Sequence, residues 1–339
     1  MAASPSEQQL PKIYTLAEIE KVISAEDFQD SLIQATADGF VDFHRGDFYA
    51  APIQTLGAPP MAPFSSSSPN YAAQTCVKSG YFRDNPYYVV KVASGGYPWE
   101  NSGLMQVYSQ KTGRLEALLL DDGVLTELRT AAVGALAASL LAPHTISCIG
   151  ILGTGVQARY QLDMLRRVTQ CRTVLVYGRT SENVESYRAE MEQKGWKVRV
   201  AKEADSLLKK CELIVTATSS REALLGLSIN DTKPKNLLIS CIGSDAPGKM
   251  ELSTNLVGLA DLRIADYPKQ SRVRGEFQAW CQLQNGKNVP DDLCPLGQII
   301  SDKALHRQSD EDERFIIFDS SGVALQDCVI AEMVCNVLS

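Results

Sequence analysis

Apolar residues recur at helical spacing in Ala17–Val22 and again in Phe28–Phe40, which predicts helix over residues 12–45. A loop rich in Pro and Ser follows at Ala58–Asn70. Alternating patterns then predict strands at Gln74–Tyr81, Tyr87–Ala93, Leu104–Ser109 and Leu115–Leu120, with a hairpin turn at Gln110–Gly113. The pattern changes at Thr126. A helix over Thr130–Leu141 ends before Pro143, and from there strands and helices alternate. Strand Ser147–Leu152, helix Gln157–Arg167, strand Thr173–Tyr177 and helix Ser181–Lys194 open the series. Strands Leu213–Thr218, Asn236–Ile242, Leu262–Ala265 and Phe315–Asp319 continue it, and an amphipathic helix, Ala324–Leu338, closes the chain. Such alternation predicts a parallel sheet with helices on both faces. The fold class is therefore α/β: a parallel-sheet domain over residues 129–321, and an α+β domain over 1–128 completed by 322–339.

Composition narrows the function. A chain of 339 residues exceeds a comfortable single core, in keeping with two domains. The net charge of −7 argues against nucleic acid or an anionic membrane as the main partner. The apolar stretches Ala117–Leu120 and Ala131–Ala142 are too short to span a bilayer, and the first residues lack a secretory pattern. Nine cysteines without a CxxC pair fit reduced thiols, so a cytoplasmic protein is expected. The three histidines have no metal-ligand spacing, and no metal site is expected.

The candidate chemistry begins at Ile149-Gly150-Ile151-Leu152-Gly153-Thr154-Gly155-Val156-Gln157-Ala158, a strand, a GxGxxA turn and a helix start. In a Rossmann-type domain the first glycine makes the tight turn and the second lets the backbone approach a pyrophosphate. The third small residue, here Ala158, lets helix and strand pack closely, and the phosphates face the positive end of the helix. Such a site for NAD usually presents an acid after the next strand, to hold the ribose hydroxyls. This chain has Gly178-Arg179-Thr180 instead. A guanidinium matches a 2′-phosphate in charge and geometry, so NADP(H) is favoured and NAD(H) is the alternative.

Four segments together resemble the ornithine cyclodeaminase/mu-crystallin family: Leu128-Arg129-Thr130-Ala131-Ala132, the Gly153–Ala158 turn, Gly243-Ser244-Asp245-Ala246-Pro247-Gly248-Lys249, and Asp319-Ser320-Ser321-Gly322. The resemblance implies a homodimer built through the first domain, a small amino- or imino-acid substrate, and an active site in the cleft between the two domains. It implies that Arg129 anchors the substrate carboxylate, that Lys91 is the active-site lysine, and that Asp245 moves a proton at the reacting nitrogen. Thr130, Gly153, Gly155, Val156, Gln157, Arg179, Thr180, Thr216, Ala217, Thr218 and Ser321 are the expected nucleotide contacts.

The chain departs from the family pattern at three places. Gln54 stands where many members carry an arginine for the substrate carboxylate. Lys78, thirteen positions before Lys91, stands where ornithine cyclodeaminase has a glutamate. Gly178 replaces the acid of NAD-retaining cyclodeaminases. A cation at Lys78 repels an ornithinium side chain, a term on the order of a few kcal/mol when partly desolvated. The first expectation is therefore an NAD(P)H-dependent imine or ketimine reductase, or amino-acid dehydrogenase, with hydride transfer at Cα. The alternatives are an ornithine cyclodeaminase using bound NAD, and a mu-crystallin-like protein that binds nucleotide and ligand without catalysis.

Overall fold

A computed structural model describes residues 10–57, 73–95, 101–227, 232–284 and 293–338; the loop expected at Ala58–Asn70 lies outside them. The chain divides into two compact units. One comprises residues 1–32, 46–126 and 324–339, the other 33–45 and 127–323.

The first unit is built on a seven-stranded sheet. The helix expected over residues 12–45 is three elements: β1 (Lys12–Tyr14), α1 (Leu16–Ile23) and α2 (Glu26–Arg45). β1 is extended because it pairs in parallel with a later strand, Lys12 opposite Ala117, so sheet hydrogen bonds override the helical pattern. Thr15 then starts α1, its N–H donating to the Glu18 carboxylate at 2.9 Å. β2 (Phe48–Ala50) and β3 (Gln54–Gly57) both pair with β4 (Gln74–Phe82), and neither was expected, being too short to show alternation. β5 (Tyr87–Gly95), β6 (Asn101–Ser109) and β7 (Leu115–Leu119) complete an antiparallel meander from β4.

Next comes α3 (Val124–Leu141), six residues longer at its start than expected. The Asp121 carboxylate accepts the Leu125 N–H at 3.1 Å and so caps that extra turn. By length and composition α3 could cross a membrane, yet it is mostly buried within the fold, with Ala131, Ala132, Val133 and Ala135 fully enclosed.

The second unit is a doubly wound sheet. β8 (Ile149–Leu152), α4 (Val156–Leu165), β9 (Thr173–Tyr177), α5 (Ser181–Gln193) and β10 (Lys197–Val200) form its first half. After α6 (Ser206–Lys210) come β11 (Leu213–Thr216), β12 (Leu237–Cys241), α7 (Thr254–Gly258) and β13 (Leu262–Ala265). α8 (Pro268–Arg274), α9 (Gln278–Gln284), β14 (Leu293–Pro295), α10 (Leu296–Ser301) and β15 (Phe315–Asp319) finish it. All eight strands are parallel, in the order β10-β9-β8-β11-β12-β15-β13-β14. Winding reverses between β8 and β11, and sheets of this kind bind ligands beyond the strand ends at such a switch point. Leu152, Ile214, Ile239, Phe277, Phe315 and Ile317 belong to its core.

The chain then returns to the first unit as α11 (Ala324–Leu338), which packs on β4 and β5. It is less amphipathic than the pattern suggests: Ala324–Ala331 are all buried, Gln326 and Asp327 included.

Candidate functional site

The turn after β8 has the geometry of an anion site. Gly153 has φ +111°, and a β-carbon there would lie 2.6 Å from the Ala217 carbonyl oxygen, so only glycine lets the turn close on the end of β11. Gly155 sits at the N-cap of α4, where a β-carbon would meet nothing within 4 Å. The space before the first turn of α4 is open, and a helix start carries N–H donors without intrahelical partners. Ala158 is fully buried, as close helix–strand packing requires, and Val156 is half exposed. These residues fit a dinucleotide pyrophosphate.

The second glycine position of interest is Gly178, after β9. A β-carbon there would lie 2.8 Å from Val184 Cγ2 and 2.9 Å from Thr154 Cγ2. Thr154 thus crowds the position beside which an NAD site usually presents its acid. Arg179 and Thr180 are exposed, and Thr180 at the N-cap of α5 makes no side-chain capping bond.

Some expected contacts face elsewhere. The Gln157 amide donates to the Glu127 carbonyl oxygen at 3.0 Å and to the Glu127 carboxylate. Gln161 donates to the Thr130 carbonyl oxygen at 2.9 Å. Gln157 therefore joins α4 to α3 through its side chain, and with Gln161 it fixes the segment carrying Arg129 and Thr130, both buried. Thr216 and Ser321 are fully buried and face inward rather than toward open space. The Thr216 hydroxyl donates to Glu251 at 2.6 Å, and Ser321 donates to Asp266 at 2.9 Å while accepting from Gln270 at 2.9 Å. Ala217 and Thr218 follow them at the rim, half buried.

Asp245 lies on the loop after β12, at the same carboxyl edge of the sheet. Its side chain is exposed and pairs with Lys249 Nζ at 2.6 Å. Arg274 donates twice to the Asp245 carbonyl oxygen, at 3.0 and 2.7 Å. The acid is presented outward on a loop that is itself pinned.

The first unit brings two lysines together. Lys78 and Lys91 are directly opposed across β4 and β5, so their side chains leave the same face of the sheet. They are only 6% and 3% exposed, which rules out a lysine reaching from an edge strand to solvent at position 78. Lys91 Nζ lies 3.5 Å from Asp327 Oδ1 on α11. Asp121, 1% exposed, has its carboxyl pushed up to about 6 by burial, against the pull of the Leu125 N–H and the Lys91 charge. Gln54 is not part of this group. It is exposed on β3 opposite Val77, on the face of the sheet away from Lys78.

The model of the ornithine cyclodeaminase/mu-crystallin family matches residues 91–339. This chain belongs to that family. Within it, an uncharacterized cyclodeaminase of Sinorhizobium fredii is 30% identical over 274 residues, 78% of this chain and 80% of that one. The alanine dehydrogenase of Archaeoglobus fulgidus is 29% identical over 336 residues, 95% and 93% of the two chains. Among solved structures, an archaeal alanine dehydrogenase dimer with bound NAD superposes with a TM-score of 0.78 at 26% identity, covering 96% of this chain and 95% of the other. Other relatives are named Delta(1)-pyrroline-2-carboxylate reductase, from Bacillus cereus, and ornithine cyclodeaminase, from Agrobacterium fabrum, so the family spans imine reduction, amino-acid dehydrogenation and cyclodeamination.

Several residues of this family member escaped sequence reasoning. Asp121 follows an apolar strand and Asp327 lies in an apolar helix, and an acid in such a setting is the signal that marks them. Lys249 stands four residues after Asp245, a spacing that allows a pair. Nothing local marks Thr154, Glu251, Asp266, Arg274 or Glu276, whose partners come from distant segments.

Proposed function

We propose that this protein is an NAD(P)H-dependent reductase that forms a small amino or imino acid by reducing a C=N bond at Cα. The observation that carries the reading is Asp245: an exposed, pinned acid at the edge of the sheet where the β8–α4 turn leaves an open helix N-terminus. When bound, the nicotinamide supplies hydride to the substrate Cα. Asp245 moves the proton at the substrate nitrogen, and its pairing with Lys249 aims the carboxyl group. Arg129 anchors the substrate carboxylate through its forked donors. Lys91, aligned by Asp327, is the active-site lysine, and Lys78 opposite it adds positive potential that disfavours a cationic substrate side chain. Gln54, facing the other way, has no part in this assignment.

Arg179 and Thr180 support NADP(H) as the coenzyme, since Gly178 stands directly after β9 in place of an acid and the Thr180 hydroxyl makes no capping bond. Residues 1–128 with 322–339 are read as the substrate-binding and dimerisation domain and 129–321 as the nucleotide domain, in a cytoplasmic homodimer. The relatives named alanine dehydrogenase and pyrroline-2-carboxylate reductase support the reaction class.

The test follows NADPH and NADH absorbance against cyclic imines and against 2-oxo acids with amines. The expected outcome is NADPH consumption matched one to one by amino-acid formation. Ammonia release from ornithine without net coenzyme consumption marks a cyclodeaminase, and binding without turnover marks a ligand carrier.

A further inference from the structure

Buried carboxyl groups tie together the loops that carry the candidate residues after β11, β12 and β15. Glu251 is fully buried, and both of its oxygens face donors: Oε1 accepts the Thr218 N–H at 2.6 Å, while Oε2 accepts the Thr216 hydroxyl at 2.6 Å and the Gly243 N–H at 3.1 Å. It therefore bridges the loop after β11 to the loop that leads into Asp245. A β-carbon at Gly243 would collide with the Thr218 backbone, so the two loops are already at contact distance. Glu276, 2% exposed, stands behind: its Oε1 accepts the Leu252 N–H at 2.7 Å, and both its oxygens share the Glu251 N–H at 3.0 Å. Asp319 and Asp266 continue the line, accepting from Ser271 and from the Gly322 N–H.

We propose that Glu251 is a positioning residue for the reaction assigned above: as an ionised carboxylate it locks the Thr218 loop to the Gly243–Asp245 loop, while Glu276 carries the proton of the pair. The inference rests on the reading of Asp245 as the proton-handling group. The two glutamates differ in what their oxygens meet. Each Glu251 oxygen has its own donor, so a proton or an amide NH2 there would face another donor. Among the described residues Glu276 Oε2 meets no donor besides the N–H it shares with Oε1, which leaves it able to hold a proton. Burial, with Glu251 and Asp319 nearby, pushes the Glu276 carboxyl well up, and burial pushes Glu251 up as well.

Replacement by glutamine separates the roles. Glu251→Gln must turn its NH2 toward Thr218 or Gly243, whereas Glu276→Gln keeps an acceptor oxygen for both N–H groups and resembles the protonated acid. NADPH affinity is measured by calorimetry on the full-length protein, and kcat at saturating imine and coenzyme. The expected result is that Glu251→Gln loses roughly tenfold or more in each, and at least about tenfold more than Glu276→Gln, with the two variants unfolding at similar temperatures. Wild-type values in Glu251→Gln, or equal losses in both variants, overturn the proposal. Calorimetry needs no turnover, so if the wild type reduced no imine the functional reading would fall while the affinity comparison still decided the role of Glu251. If Glu251→Gln does not fold, carboxyl-carbon NMR of [5-13C]glutamate-labelled protein decides instead. The resonance missing from Glu276→Gln is expected at a protonated shift at pH 7, and an ionised shift overturns the assignment.

Discussion

The two units bury charge in opposite ways. In the first, Lys78 and Lys91 face each other across a sheet, and the acids Asp121 and Asp327 stand with them. Like charges directly opposed on neighbouring strands are destabilising, so this arrangement depends on charges of the other sign. In the second, Glu251, Glu276, Asp266 and Asp319 are enclosed, and among the described residues they accept from backbone N–H groups and hydroxyls. Removing a group from the first cluster therefore changes the electrostatics of its neighbours. Removing one from the second changes where loops sit. The first unit is built to hold a field and the second to hold positions.

The comparison breaks most directly at Lys91. Lys91→Met removes the cation paired with buried Asp327, and loss of one partner of a buried pair is expected to cost about 3–5 kcal/mol in urea unfolding. A cost below about 1 kcal/mol would mean that charge pairing does not hold the first cluster together. Asp245→Asn is the counterpart in the second unit. The side chain is exposed, so stability and nucleotide affinity are expected to stay within error while turnover falls about a hundredfold. Near-normal turnover at saturating substrate would remove Asp245 from the proton transfer.

Asp121 sharpens the contrast through pH. Its carboxyl is held at about 6 in the folded protein against the ordinary 3.8, so the folded state binds this proton more tightly. Its stabilising contribution is complete below about pH 4 and is lost as pH rises through 6. Between pH 4 and 7 the wild type should lose up to about 3 kcal/mol of unfolding free energy relative to Asp121→Asn, in which the titrating group is gone. Parallel pH–stability curves for the two proteins would rule this out. The smallest expected effect is at Arg179. Arg179→Ala should weaken NADPH by about 1–3 kcal/mol and leave NADH nearly unchanged, whereas equal losses for both coenzymes would remove Arg179 from the 2′-phosphate.

What the sequence revealed follows the range of the interactions. Alternating strands and helices are local patterns, so β8, α4, β9 and α5 lie close to where periodicity puts them, and the Gly153–Ala158 turn has the conformation its residues require. Lys91 and Arg129 were marked by the family resemblance, and both are buried. The failures are long-range. Lys12–Tyr14 became a strand because β7 offered it a partner, and Gln157 turned to Glu127 on α3. Gln54 shows how one step in register decides a role, since adjacent strand residues point to opposite faces. Asp327 has no local signature beyond an acid among apolar neighbours, and Glu251 has none, because their partners are brought to them by the sheet topology.

Hydride transfer to the substrate Cα, with Asp245 managing the proton at nitrogen, is the proposed chemistry in its most testable form. Incubation with coenzyme carrying deuterium at the transferable C4 position, followed by NMR of the amino-acid product, reads that transfer directly. One deuterium is expected at Cα of a product formed in step with coenzyme oxidation, and that product is expected to be lost in Asp245→Asn. Ammonia released from ornithine with no net coenzyme oxidation, or a product without deuterium at Cα, would contradict it.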